Sequence, residues 1–213
     1  MFKYYSYLKA INSTLFCLKL KIARGNLLQC DNASIAKSDI KIQGNQNNII
    51  IKGKMSATHI LLVGVNNKII FESGTQFRNA NIVLRGNNCE IKIGKYSTFW
   101  NGLYMVCMGQ TNAITIGYDC QFADNVDVWN TDAHPIKNSV GETINPSKSI
   151  SIGNKVWIGK NASLLKGVTV NDGVVVGMNS VVVKDLPSNT ICVGNPAKSI
   201  KDNIYWNRNF IDE

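Results

Sequence analysis

Residues 129–136 read WNTDAHPI, and they gather reactive side-chain types in a stretch that neither helical nor strand periodicity explains. Histidine is the side chain best suited to take a proton from a hydroxyl at neutral pH, which makes His134 a candidate general base. Asp132, two residues earlier, is placed to orient the ring or an acceptor. The surrounding run, residues 130–149 (NTDAHPIKNSVGETINPSKS), is polar, contains two prolines and has no aliphatic period. It therefore leaves the regular structure as a long loop, and long loops on compact repeats usually carry function. The other histidine, His59, follows a strand corner with no comparable loop and belongs to the scaffold. Two histidines cannot build a three-histidine zinc site within one chain. Cys17, Cys30, Cys89, Cys107, Cys120 and Cys192 show no CxxC pair and no Cys/His metal spacing, so no metal is expected. They read as reduced, mostly buried thiols of a cytoplasmic protein. Cys120 falls where a small buried residue is expected, which argues against a covalent cysteine mechanism.

Something must hold that loop, and the sequence on either side says what. From Ile152 an aliphatic residue returns every sixth position: Ile158, Leu164, Val170, Val176 and Val182. A helix repeats every 3.6 residues and a strand every two, so a period of six marks short strands joined by corners. Three sides make a coil, and stacked coils make an all-β parallel β-helix of hexapeptide repeats. The repeat runs earlier in looser form, in GNQNNIIIKG, GVNNKIIFES, GNNCEIKIG and GQTNAITIG, beginning at Gly44, Gly64, Gly86 and Gly109. Asn48, Asn67, Asn88 and Asn112 recur at nearly one phase and suggest stacked turn asparagines. Proline should stop the ladder near Pro187. The expected organisation is a basic N-terminal cap over 1–30, a β-helix over 31–188 with 130–149 extruded, and a tail over 189–213 ending in a short C-terminal helix.

The net charge of +9 is uneven: Lys3, Lys9, Lys19, Lys21 and Arg24 fall within the first thirty residues, with no Asp or Glu. Such a segment suits an anionic partner: a membrane surface, an anionic glycan or a nucleotide cofactor. No aromatic-and-basic motif of a nucleic-acid module is present, so no nucleic-acid partner is expected. No run approaches the roughly 20 apolar residues of a membrane span, and no signal peptide is recognisable, so a cytoplasmic protein is expected, with peripheral membrane contact through the basic N-terminus as the further reading.

WNTDAHPI, followed by SISIGNKVWIGKNASLLKGVTVNDGVVVGMNSVVVKDLPSNTICVGNPAKSI, resembles the hexapeptide-repeat acyltransferases of the left-handed β-helix type. Within that family the likeness is closest to the bacterial capsule O-acetyltransferases, including those acting on polysialic acid. The resemblance implies transfer of acetyl from acetyl-CoA directly to a sugar hydroxyl of a cell-surface glycan, with His134 as base and Trp157 donating its indole N–H at the reacting centre. It implies cofactor contacts at Gly159, Gly177, Met178, Val183, Lys184 and Lys198. Here Met178 stands where relatives carry a small residue, and Val183 where they carry a threonine. Trp129, Asn130 and Asp132 fall beside His134 and are candidates for touching the acceptor. The family builds its sites between subunits, which implies a homotrimer. N-acetylation of an amino sugar or nucleotide-sugar is the alternative reading, and a non-catalytic binding solenoid is the second.

Overall fold

A computed structural model describes residues 7–209. All regular structure among them is strand, wound into a three-faced prism. The first face stacks eight strands from Tyr7–Ile11 to Thr169–Val170, and the third stacks eight from Lys19–Ile22 to Val181–Val182. The second face runs from Thr14–Phe16 through Trp157–Ile158 and Val175–Val176 to Lys198–Lys201, ten strands in all. Each strand pairs in parallel with its equivalent one coil away, and only the last pair, Ile191–Val193 with Lys198–Lys201, is antiparallel. The architecture is the left-handed β-helix expected from the repeat.

The six-residue period is the inward-facing set. Ile152, Ile158, Leu164, Val170, Val176 and Val182 are all buried in one continuous core. Higher up, Phe71, Phe77, Phe99 and Phe122 stack with ring centroids 4.5, 4.5 and 4.6 Å apart. The coils before residue 120 advance 20 to 23 residues per turn and the strict coil below advances 18. The coil carrying the long loop advances 36, so the loop adds a whole coil's worth of chain.

The asparagine stack exists, one residue away from part of its expected phase. Asn26, Asn47 and Asn67 are buried, and their side-chain amides donate to the carbonyls of Gly44, Gly64 and Gly86 at 3.0, 2.8 and 2.7 Å. The Cys89 thiol continues the ladder to Gly109 at 3.3 Å. Asn48 lies instead in a first-face strand, and Asn88 takes the exposed left-handed corner position beside it (φ 55°). Gly44, Gly64 and Gly86 have positive φ, and a Cβ on each would sit 1.8–2.0 Å from the next glycine's carbonyl oxygen. Only glycine allows coils to stack there.

Two expectations about the C-terminal end change. The ladder continues past Pro187, because Leu186 still bridges Val170 and Ile191–Val193 adds a strand to the second face. Pro187 is exposed at a corner, where its missing N–H costs nothing. The short C-terminal helix is not formed among the described residues. Ile204 N–H bonds Asn189 O, Trp206 reaches Lys155 O, and Arg208 reaches Cys120 O and Tyr96 O, so this segment climbs several coils within five residues. Coils are about 4.8 Å apart, and a helix advancing about 1.5 Å per residue falls short of that climb.

Candidate active site

The loop leaves the prism at the corner between the third and first faces. Its base is closed where Lys148 N–H donates to Asn130 O at 3.0 Å. Asn130 itself is fully buried, and its side chain accepts from Met108 N–H at 2.7 Å and donates to Met108 O at 3.0 Å. It pins the loop to the coil above and has no face left for an acceptor, contrary to its expected role. Trp129 is half-buried on the outside of the third face, edge-on to Tyr104 at 5.1 Å.

Asp132 does not orient His134. Its carboxylate forms an ion pair with Lys166 and accepts from Asn145 Nδ2 at 2.8 Å. The Lys166 ammonium, then the Asn145 amide, hold the Asp132 carboxyl below the usual carboxylate range. Asn145 organises the whole turn: it also donates to His134 O at 2.9 Å and accepts from Ile136 N–H at 2.6 Å, while its carbonyl accepts from Lys166 at 3.3 Å. Ala133, immediately before the histidine, adopts φ 63°, and His134 N–H closes a tight turn on Asp132 O at 2.7 Å. His134 is thereby fixed through its backbone and presented outward. Among the described residues its exposed ring makes no hydrogen bond. Beyond it, residues 136–144 form a small hairpin bridged at Lys137 and Thr143, with Ile136, Val140 and Ile144 left 54, 76 and 59% exposed.

Lys166 and Asn145 were not legible as site residues. Their signal was present only as position: Lys166 opens the turn one coil below the loop's exit, and Asn145 ends the ETIN stretch.

Trp157 lies on the outside of the second face, between Gln121 and Val175. It is 40% exposed, and its ring lies 5.9 Å from that of Trp206. In a three-faced prism the second face lies opposite the corner from which the loop emerges. A single chain therefore holds His134 and Trp157 on opposite sides.

The six expected cofactor residues also separate. Gly159, Gly177 and Met178 follow second-face strands at the corner with the third face. Val183 and Lys184 follow Val181–Val182 at the loop's corner, one coil below Leu165 and Lys166. Lys198 is exposed in the last strand of the second face. A Cβ on Gly159 would meet Met178 N at 2.7 Å, and one on Gly177 would meet Val193 Cγ1 at 2.6 Å, so close stacking alone explains both glycines. His59 Nδ1 lies 2.7 Å from Asp39 Oδ2 on a scaffold strand. Cys120 is fully buried, and burial pushes its thiol up to about 11, far from the thiolate that covalent catalysis needs.

Residues 149–184 match the model of the bacterial transferase hexapeptide (six repeats). The chain is 34% identical over 187 residues to the polysialic acid O-acetyltransferase of Neisseria meningitidis, covering 77% of this chain and 86% of that protein. The solved structure of the polySia-specific acetyltransferase NeuO superposes with a TM-score of 0.70 at 28% identity, over 98% of this chain and 91% of that one. The polysialic acid O-acetyltransferase OatWY follows with a TM-score of 0.60 at 28% identity, over 97% and 92%. With the six-residue core, the extruded histidine loop and likeness along nearly the whole chain, the protein belongs to the hexapeptide-repeat acyltransferases and is an O-acetyltransferase.

Proposed function

We propose that the protein moves an acetyl group from acetyl-CoA to a hydroxyl of an anionic cell-surface glycan, in a homotrimer whose sites lie between subunits. The observation that carries this reading is the presentation of His134: a ring held out on a braced turn, with no internal partner, on the side of the prism opposite Trp157. A second copy supplies what one chain separates. The exposed Ile136, Val140 and Ile144 on the hairpin suit burial against that neighbour.

In the proposed reaction the imidazole of His134 accepts the acceptor's hydroxyl proton as its oxygen attacks the thioester carbonyl. The neighbour's Trp157 N–H donates to the developing oxyanion. The carbonyl reforms, the C–S bond breaks, and the imidazolium returns its proton to the departing thiolate. The product is an acetyl ester and free CoA. The acceptor class is supported by relatives named for polysialic acid. The exposed Lys9, Lys19, Lys21 and Arg24 of the first coil favour an anionic polymer or membrane surface. Lys3 lies outside the described residues. No helix among the described residues is long and apolar enough to cross a membrane. Use of acetyl-CoA places the reaction in the cytoplasm, where that donor is made.

Free-thiol release from acetyl-CoA, screened against sialic acid polymers, other bacterial polysaccharides and amino sugars, tests the reaction and separates hydroxyl from amine acceptors. His134→Ala should lower kcat by about 10²–10⁴ while leaving acetyl-CoA binding unchanged. Near-normal turnover in that variant would remove His134 from the mechanism.

A further inference from the structure

The segment after Lys201 adds nothing to the ladder of strands, yet it is bound tightly to the solenoid. Trp206 Nε1–H donates to Lys155 O at 2.6 Å. The Arg208 guanidinium donates to Asp119 Oδ1, Thr98 Oγ1, Tyr96 O and Cys120 O at 2.7, 2.9, 3.0 and 2.8 Å. Four of its five N–H groups are thus spent on the protein, and Asp119 neutralises it. Loose termini do not need such anchoring.

Between the anchored strap and the second face lies an open cavity of about 620 Å³, walled by Trp157, Trp206 and Tyr205 and edged by Gln121, Asn207 and Arg208. Tyr205 is 88% exposed and Trp157 40% exposed, and the two tryptophan rings are tilted at 46° with centroids 5.9 Å apart. Among the described residues no lysine lines the cavity, and Arg208 is already committed to Asp119. Open aromatic faces bordered by amide donors and acceptors suit a ring with apolar C–H faces and a polar rim. A pyranose has that form.

We propose that this cavity is the subsite for an acceptor sugar ring, and that Trp206 is a specificity residue carried by the C-terminal strap. The inference rests on the proposed glycan acceptor and deepens it. It requires the strap to help select the acceptor while leaving donor binding alone.

Trp206→Ala should raise KM for the acceptor about tenfold, with KM for acetyl-CoA unchanged. Trp206→Phe, which keeps an aromatic face and loses the anchor to Lys155, should recover most of that loss. Binding measured without acetyl-CoA, by saturation-transfer NMR with a sialic acid tetramer and with maltotetraose as comparison, separates this proposal from the catalytic reading. Sugar signals present with the wild type and lost with Trp206→Ala support the subsite even if no thiol is released. Equal signals from both proteins, or no sugar binding by the wild type, overturn it while leaving the His134 mechanism standing. A rise in the acetyl-CoA KM alone assigns the cavity to the donor and also overturns it. If Trp206→Ala melts earlier, the same comparisons at a temperature where both proteins are folded decide the matter.

Discussion

The side chain nearest His134 in sequence and able to carry charge, Asp132, is directed away from it. Asp132 serves the turn, through Lys166 and Asn145, and the turn serves the histidine. The His134 ring is thus aimed through its backbone and carries no hydrogen bond of its own among the described residues. Because the Asp132 carboxyl is held below its ordinary value, the brace contributes fully above the ordinary carboxylate pKa and is lost only as pH falls through the lowered one. Limited proteolysis of the loop should therefore be constant from neutral pH to about pH 4 and rise only in stronger acid. Asp132→Asn should cleave faster at pH 7, with an acceptor KM raised more than the acetyl-CoA KM. A variant loop as protected as the wild type would show that the ion pair does not hold it. Sequence made His134 and Asp132 conspicuous, but the partner of a charged group in a solenoid sits one coil away, here 34 residues along the chain.

At the scale of the element, the solenoid solves at each corner the problem of pairing buried polar backbone where strands end. The inner ladder does so with the buried side chains of Asn26, Asn47, Asn67 and Cys89, each bonded to backbone of the next coil. Asn67 accepts from Cys89 N–H at 2.9 Å and donates to Gly86 O at 2.7 Å. Asn67→Ala strips both and should cost about 2–4 kcal/mol, read as a lower urea midpoint. Asn66→Ala, at the exposed left-handed corner beside it, should cost about 1 kcal/mol. Equal losses would refute the distinction between inner and outer corner positions. The sequence contained this ladder as a G-x-x-N/C spacing, in Gly44–Asn47, Gly64–Asn67, Gly86–Cys89 and Gly109–Asn112. It was obscured because a second asparagine series, for left-handed corners, runs one residue away from it. The missing C-terminal helix has a similar cause: NIYWNR carries no strong period, and its conformation is set by the hydrogen bonds of Trp206 and Arg208 to coils far away in sequence.

For the whole molecule, the proposed mechanism sets its base on one corner of the prism and its indole on the opposite face, and so requires assembly. Co-expressing His134→Ala and Trp157→Ala chains tests this directly. In a ring of three, every mixed assembly contains one site with both side chains intact. Equal mixing should therefore restore about a quarter of wild-type turnover, although each variant alone is inactive. Activity no higher than the parents' would place both residues in the same subunit's site. The sequence by itself determined the β-helix, its coil lengths and the place where it breaks. These depend on a local rule: every sixth side chain must be apolar to enter the core, and chain that cannot obey must leave. Tertiary structure alone decided which residues meet. Coils stack side chains 18 to 36 residues apart, so the pairing of Asp132 with Lys166, the burial of Asn130, the scattering of the expected cofactor residues and the strap over Trp157 follow from register between coils, for which a six-residue pattern carries no instruction.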